Sequence, residues 1–176
     1  SAKNGISIVE VLRQQLTQLN PNQSSLYAQN ARKLTTDLEK IDRWIRETVK
    51  TIPPENRRLV TTHEALSYYT KSYGLELVGV LQGITTREQP TPQKVAELAL
   101  EIKRMGIPVI FAEMTVNPKL IEAVAREANV KISPQSLFSD GLGDKGPGAD
   151  TYKGMLMTNT CTIVNGLGGQ CQRLRL

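Results

Sequence analysis

The pattern of apolar runs and helix signals predicts an α/β fold: a four-stranded parallel sheet flanked by helices, preceded by a long linking helix. Three observations predict it. From residue 57 onward, short aliphatic or β-branched runs alternate with segments of helical periodicity, as strand–helix–strand units do. Ile107–Ala112 is a continuous apolar run, as befits a strand covered on both faces. Before residue 57 there are only two helical stripes.

Residues about 3–19 carry Ile6, Ile8, Val9, Val11, Leu12, Leu16 and Leu19 at helical spacing, and Asn20-Pro21-Asn22 stops them. A second helix follows from about 23 to 50. Its series Leu34, Leu38, Ile41, Ile45, Val49 alternates steps of four and three, which marks one buried stripe. At 1.5 Å per residue it spans roughly 40 Å, the width of a domain, and so suits a spine better than a core element. Pro53-Pro54 ends it. Arg58–Thr61 reads as the first strand, Glu64–Tyr73 as a helix stopped by Gly74, and Leu75–Leu81 as the second strand. Thr91-Pro92 opens the next helix, with Thr as N-cap and Pro at the first helical position. Val95, Leu98, Ala99 and Ile102 share one face of it, and Gly106 closes it. The third strand is Ile107–Ala112. Asn117-Pro118 repeats the cap, with Leu120, Ile121, Val124 and Ala125 toward the sheet. Val130–Ile132 is the fourth strand, a glycine-rich loop covers 139–149, and a last helix runs from about 150 to 166. The change of pattern divides the chain into a helical segment, 1–56, and an α/β lobe, 57–176.

Composition narrows the function. The 176 residues include 22 basic and 17 acidic side chains, a net charge of +5. No dense basic block appears, and Arg173 and Arg175 are the only local excess, so no nucleic-acid partner is expected. No apolar run approaches the ~20 residues of a membrane span. With one Trp, two Phe and five Tyr, the core must be aliphatic. Cys161 and Cys171 lack the CxxC spacing of a structural zinc site. Either they form a disulfide that ties the last helix to the tail in an oxidising compartment, or they are two unrelated thiols. Both readings stay open.

His63 is the only histidine. It follows strand one, as Gln82 follows strand two, Glu113 strand three and Asp140 strand four. A parallel sheet brings these carboxyl ends to one rim, where open α/β sheets bind ligands. Imidazole plus carboxylate is a standard donor pair for a divalent transition metal, so His63 and Asp140 are the candidate metal ligands. The plainer alternative is that His63 caps the helix behind it and Asp140 steadies a glycine turn. His63-Glu64 is not a zinc-protease motif, because position i+4 is Ser67 and not a second histidine. Gly141-Leu142-Gly143 follows the last strand and lacks the spacing of a phosphate-binding loop. A small α/β enzyme using Glu113 or Asp140 as general base is the competing function, although Glu113 has no paired acid and equally suits a turn.

Several stretches, in this order and spacing, resemble the manganese/zinc-type solute-binding proteins of ABC transporters. They are Val60-Thr61-Thr62-His63-Glu64-Ala65-Leu66-Ser67-Tyr68-Tyr69, Gln89-Pro90-Thr91-Pro92-Gln93, Phe111-Ala112-Glu113-Met114-Thr115-Val116, Leu137-Phe138-Ser139-Asp140-Gly141-Leu142 and Tyr152-Lys153-Gly154-Met155-Leu156. The resemblance implies a metal held by four side chains between two α/β lobes joined by one long rigid helix, which would keep lobe motion small. Two histidines come from the N-terminal lobe and its edge; a His or Glu and an Asp come from the C-terminal lobe and carry over to His63 and Asp140. The first two have no counterpart here. The family's second histidine sits in D-P-H-x-W, a few residues before the stretch that Ser1-Ala2-Lys3-Asn4-Gly5 resembles. The chain is therefore expected to be a C-terminal lobe whose complete Mn²⁺ or Zn²⁺ site needs a missing N-terminal lobe. The resemblance further implies a non-enzymatic extracytoplasmic or periplasmic receptor with a lipid-anchored parent, delivering its ion to a membrane permease. Glu113 is placed to orient a ligand by hydrogen bonding. The Phe111–Val116 and Leu137–Leu142 stretches look closer to the manganese branch, and no histidine-rich loop appears, so manganese is slightly preferred.

Overall fold

The computed structural model describes residues 1–82, 90–146 and 148–176. It opens with helix α1 (Ala2–Leu19), whose first turn is capped by Ser1: the hydroxyl accepts from the Asn4 amide at 3.2 Å. A 3₁₀ turn at Pro21–Gln23 leads into α2 (Ser24–Lys50). Leu38, Ile41, Ile45 and Val49 of the expected stripe are all buried. A second 3₁₀ turn, Pro54–Asn56, follows the proline pair.

Strand β1 (Arg58–His63) pairs in parallel with β2 (Glu76–Gln82), in register from Arg58↔Glu76 to His63↔Gln82 with one irregularity between Leu59 and Val60. Between them lies α3 (Ser67–Tyr73), closed by Gly74 at φ +76°, a left-handed conformation that glycine adopts without steric cost. It begins three residues later than the sequence suggests. The His63 carbonyl accepts from both the Thr61 hydroxyl (2.9 Å) and the Ala65 amide (3.0 Å), and this tight turn consumes the residues that would have formed its first turn.

Helix α4 (Pro92–Met105) starts as its sequence dictates, the Thr91 hydroxyl accepting from the Lys94 amide. Helix α5 (Pro118–Ala128) does the same with Asn117 and the Lys119 amide. Between and after these helices come β3 (Val109–Ile110) and β4 (Lys131–Ile132), again parallel. The third strand is shorter than the apolar run Ile107–Ala112 predicts, because its backbone changes partners. The Phe111 amide donates to Val60 at 3.1 Å, and the Ala112 carbonyl accepts from Leu137 at 2.9 Å. Each pair is parallel, but in place of the expected four-stranded sheet the strands form two two-stranded ladders, β1–β2 and β3–β4, linked by the Phe111 amide bond to Val60. A further parallel bridge joins Glu113 to Leu137.

The sheet is covered on both faces. Leu59, Val109, Phe111 and Leu137 share a core with α2 and with α6 (Tyr152–Gly166) through Leu38, Ile41, Ile45 and Ile163. Val60, Ile110 and Ala112 turn the other way, onto Leu98, Ile102, Ile121 and Val124 of α4 and α5. That alternation is the period-two geometry of a strand.

Cys161 and Cys171 form a disulfide, which resolves the alternative that the sequence left open. The tail beyond α6 lies against the end of α2. The Gln170 amide donates to the Thr51 hydroxyl at 2.9 Å, and the Trp44 indole donates to the Gln172 carbonyl at 2.9 Å. Among the described residues, no helix is long and apolar enough to cross a membrane. Gln89, which opens one of the family-like stretches, lies outside the described residues.

Candidate metal centre

Thr61, Thr62 and His63 end a strand that is buried from Leu59 onward, so the imidazole emerges at the carboxyl rim of the sheet with only 3% of its side chain exposed. Its two nitrogens face two carboxylates. On one side, Nδ1 stands 2.8 Å from Glu113 Oε2, and the Glu113 side chain is wholly buried. That approach lies off a good hydrogen-bond direction, so it is a close contact and not a formal hydrogen bond. Glu113 is anchored instead through Oε1, which accepts from the His63 backbone amide at 2.9 Å. On the other side, Nε2 stands 3.2 Å from Asp140 Oδ2, and the Asp140 side chain is 52% exposed. The Thr115 hydroxyl donates to the same Asp140 oxygen at 2.9 Å.

All four strand-end residues therefore arrive at one rim. His63 and Gln82 are register partners across β1 and β2, and Glu113 and Asp140 flank the imidazole ring. The plainer readings do not describe what these side chains do. His63 is three residues short of α3, whose N-cap is Leu66 without a side-chain bond. The Asp140 carboxylate faces His63 and Thr115. The main chain of Glu113 does form a turn, its carbonyl accepting from Val116 at 3.3 Å, while its side chain reaches back to His63.

Two residues of the site were not singled out from sequence. Thr115 lies within the Phe111–Val116 stretch, and its spacing of two from Glu113 was the available signal. Asn159 is the other. It is buried on α6, accepts from the Phe138 amide at 2.9 Å and donates to the Phe138 carbonyl at 2.7 Å, so it fixes the backbone two residues before Asp140. A polar amide in the middle of an otherwise buried helical face was the clue. The loop bearing Asp140 also closes tightly on α6. A Cβ at Gly154 would collide with the backbone carbonyl of Gly148.

Two donors bound to one tetrahedral ion through bonds of about 2.0–2.1 Å stand about 3.3 Å apart. The His63–Asp140 separation of 3.2 Å therefore suits adjacent vertices of one coordination shell. Glu113 faces the opposite ring nitrogen and does not add a third vertex. Among the described residues no group of three or more His, Cys, Asp and Glu side chains is arranged to hold an ion. The arrangement leaves His63 Nε2 and the Asp140 carboxylate side by side at a partly open rim.

Residues 1–166 match the family model for zinc-uptake complex component A, periplasmic. The manganese-binding lipoprotein MntA of Halalkalibacterium halodurans is 33% identical over 165 residues, which covers 94% of this chain and 54% of that protein. The zinc-binding protein TroA of Treponema pallidum is 35% identical over 164 residues, covering 90% of this chain and 53% of that one. The solved structure of the periplasmic zinc-binding protein TroA from Treponema pallidum superposes with a TM-score of 0.89 at 32% identity, over 94% of this chain and 61% of that chain. The chain thus spans about half the length of the curated relatives it matches. With the model's match running through α1 to the end of α6, and with the fold shared as well, the chain belongs to the family of periplasmic zinc-uptake component A.

Proposed function

We propose that the chain is the C-terminal lobe of an extracytoplasmic receptor that binds Mn²⁺ or Zn²⁺ as cargo and hands it to the permease of an ABC importer. The observation that carries this reading is the convergence of His63 Nε2 and Asp140 Oδ2 to 3.2 Å at the rim of a parallel sheet. In this reading His63 and Asp140 are metal ligands, and two histidines of a companion N-terminal lobe supply the remaining donors. Residues 1–56 form the segment that joins the lobes, with α2 as its spine, and residues 57–176 form the metal-binding lobe. Two donors alone compete poorly with water for a labile divalent ion, so the second lobe sets both affinity and coordination number. The relatives' names support both metals, since one is a manganese-binding lipoprotein and another a zinc-binding protein. The disulfide fits an oxidising compartment. A lipid anchor on the parent protein follows from the same reading.

The protein is not an enzyme in this account. Of the two candidate bases of the competing reading, Glu113 is wholly buried behind the imidazole and tied to the His63 amide, whereas Asp140 is half exposed and is assigned here to the metal. Titration calorimetry on the two-lobe protein tests the proposal. His63→Ala and Asp140→Ala should each weaken Mn²⁺ and Zn²⁺ binding by orders of magnitude, and unchanged affinity in both variants would exclude it.

A further inference from the structure

We infer that Glu113 is a positioning residue: it holds the single ring proton of His63 on Nδ1 and so keeps Nε2 bare for the cargo metal. The inference rests on the receptor reading above and assigns a residue that never touches the ion.

A neutral imidazole carries one N–H, and only its bare nitrogen can donate to a metal. Which nitrogen is bare is decided by what the other one faces. Here both face carboxylate oxygens, so the outcome turns on their relative pull. Glu113 Oε2 is nearer, 2.8 Å from Nδ1 against 3.2 Å from Nε2 to Asp140 Oδ2. It is also fully enclosed, whereas Asp140 is half in water. Attraction falls with distance and with screening, so both differences draw the proton to Nδ1.

Glu113 also meets His63 at two points. One oxygen of Glu113 takes the backbone amide of His63 at 2.9 Å while the other meets its ring. A single carboxylate therefore holds main chain and side chain of the same residue, which limits rotation of the imidazole about χ1 and χ2. Among the described residues, the Thr115 hydroxyl is the one side-chain donor bonded to Asp140, which sits at the edge of an exposed loop and can turn from the ring toward an arriving ion. A buried carboxylate is costly unless its oxygens are matched, and among the described residues Oε1 takes the His63 amide while Oε2 has only the ring contact.

Glu113→Gln separates shape from chemistry. Its amide oxygen can keep the His63 backbone contact, which leaves the NH₂ facing Nδ1. That nitrogen must then be the bare one, and the proton moves to Nε2 and blocks it. Because His63 is the only histidine, ¹⁵N spectra of the metal-free 176-residue chain at mildly alkaline pH show one imidazole and need no assignment. The expected result is a predominant Nδ1–H tautomer in the parent sequence and a predominant Nε2–H tautomer in Glu113→Gln. An Nε2–H tautomer in the parent sequence, or the same tautomer in both, would overturn the inference. If Glu113→Gln does not fold, the parent spectrum alone decides.

A second arm uses Zn²⁺ on the two-lobe protein. Loss of a residue that orients a metal-binding histidine costs roughly 10- to 100-fold in affinity. Glu113→Gln should fall in that range, with His63→Ala and Asp140→Ala weaker still. If those two lose binding and Glu113→Gln does not, the positioning role fails and the receptor reading survives. If neither His63→Ala nor Asp140→Ala loses binding, the receptor reading fails, and the role of Glu113 toward a metal fails with it.

Discussion

Trp44 donates its indole N–H to the carbonyl of Gln172 at 2.9 Å, so the only tryptophan of the chain reports whether the C-terminal tail lies on α2. The tail is held there from both sides: by Thr51, the residue that caps the C-terminal end of α2, and by the Cys161–Cys171 disulfide from α6. Closing a loop of this size stabilises a fold by roughly 2–3 kcal/mol in the chain-entropy account. The paired Cys161→Ser, Cys171→Ser variant should therefore melt at lower temperature. Its Trp44 emission should move to longer wavelength, and trypsin should cleave sooner after Arg173. Emission and cleavage identical to those of the parent protein would show that the hydrogen bonds alone hold the tail.

Asn159 clamps the backbone of Phe138, two residues before Asp140. Replacing it by Leu keeps the volume but leaves the Phe138 amide and carbonyl without partners, at about 1–3 kcal/mol for each buried group left unsatisfied. Asn159→Leu should lower stability and, in the two-lobe protein, weaken metal binding. Calorimetry and thermal melting read the two effects separately. Full metal affinity in a destabilised variant would show that Asp140 finds its place without this clamp.

Lys153 Nζ lies 2.6 Å from Asp37 Oδ2 and joins α6 to α2. The lysine's hydrogen bond holds the Asp37 carboxyl below its ordinary value. A lowered folded-state value means that the pair's stabilisation is complete above the unfolded carboxyl's pKa, about 4, and fades as pH falls through the lower folded value. With both side chains partly open to water, the contribution is at most about 1 kcal/mol. Asp37→Asn should lower the melting temperature at pH 7, and the two melting curves should converge below pH 4. A difference that persists at low pH would assign the effect to packing.

Much of this was legible in the sequence because it rests on local chemistry. Thr91-Pro92 and Asn117-Pro118 cap helices whatever lies around them, and the Leu38–Ile41–Ile45 stripe follows from helical period alone. Strand-end logic brings His63, Gln82 and Glu113 to one rim, and the bridge from Glu113 to Leu137 carries the loop with Asp140 there as well. What escaped depends on partners distant in the chain. The ladder at Val109–Ile110 is short because Phe111 bonds to Val60 and Ala112 to Leu137, a long-range choice with no mark in the apolar run. The late start of α3 follows from the turn at the His63 carbonyl. The tail's course and the disulfide required α2, α6 and residue 171 to meet in space.

The central claim, that His63 and Asp140 bind one ion together, is tested most directly by zinc-edge anomalous diffraction from crystals of the two-lobe protein grown with Zn²⁺. The account predicts one peak about 2.0–2.2 Å from both His63 Nε2 and an Asp140 carboxylate oxygen. A peak bound elsewhere, or one that touches His63 through Nδ1, would contradict it.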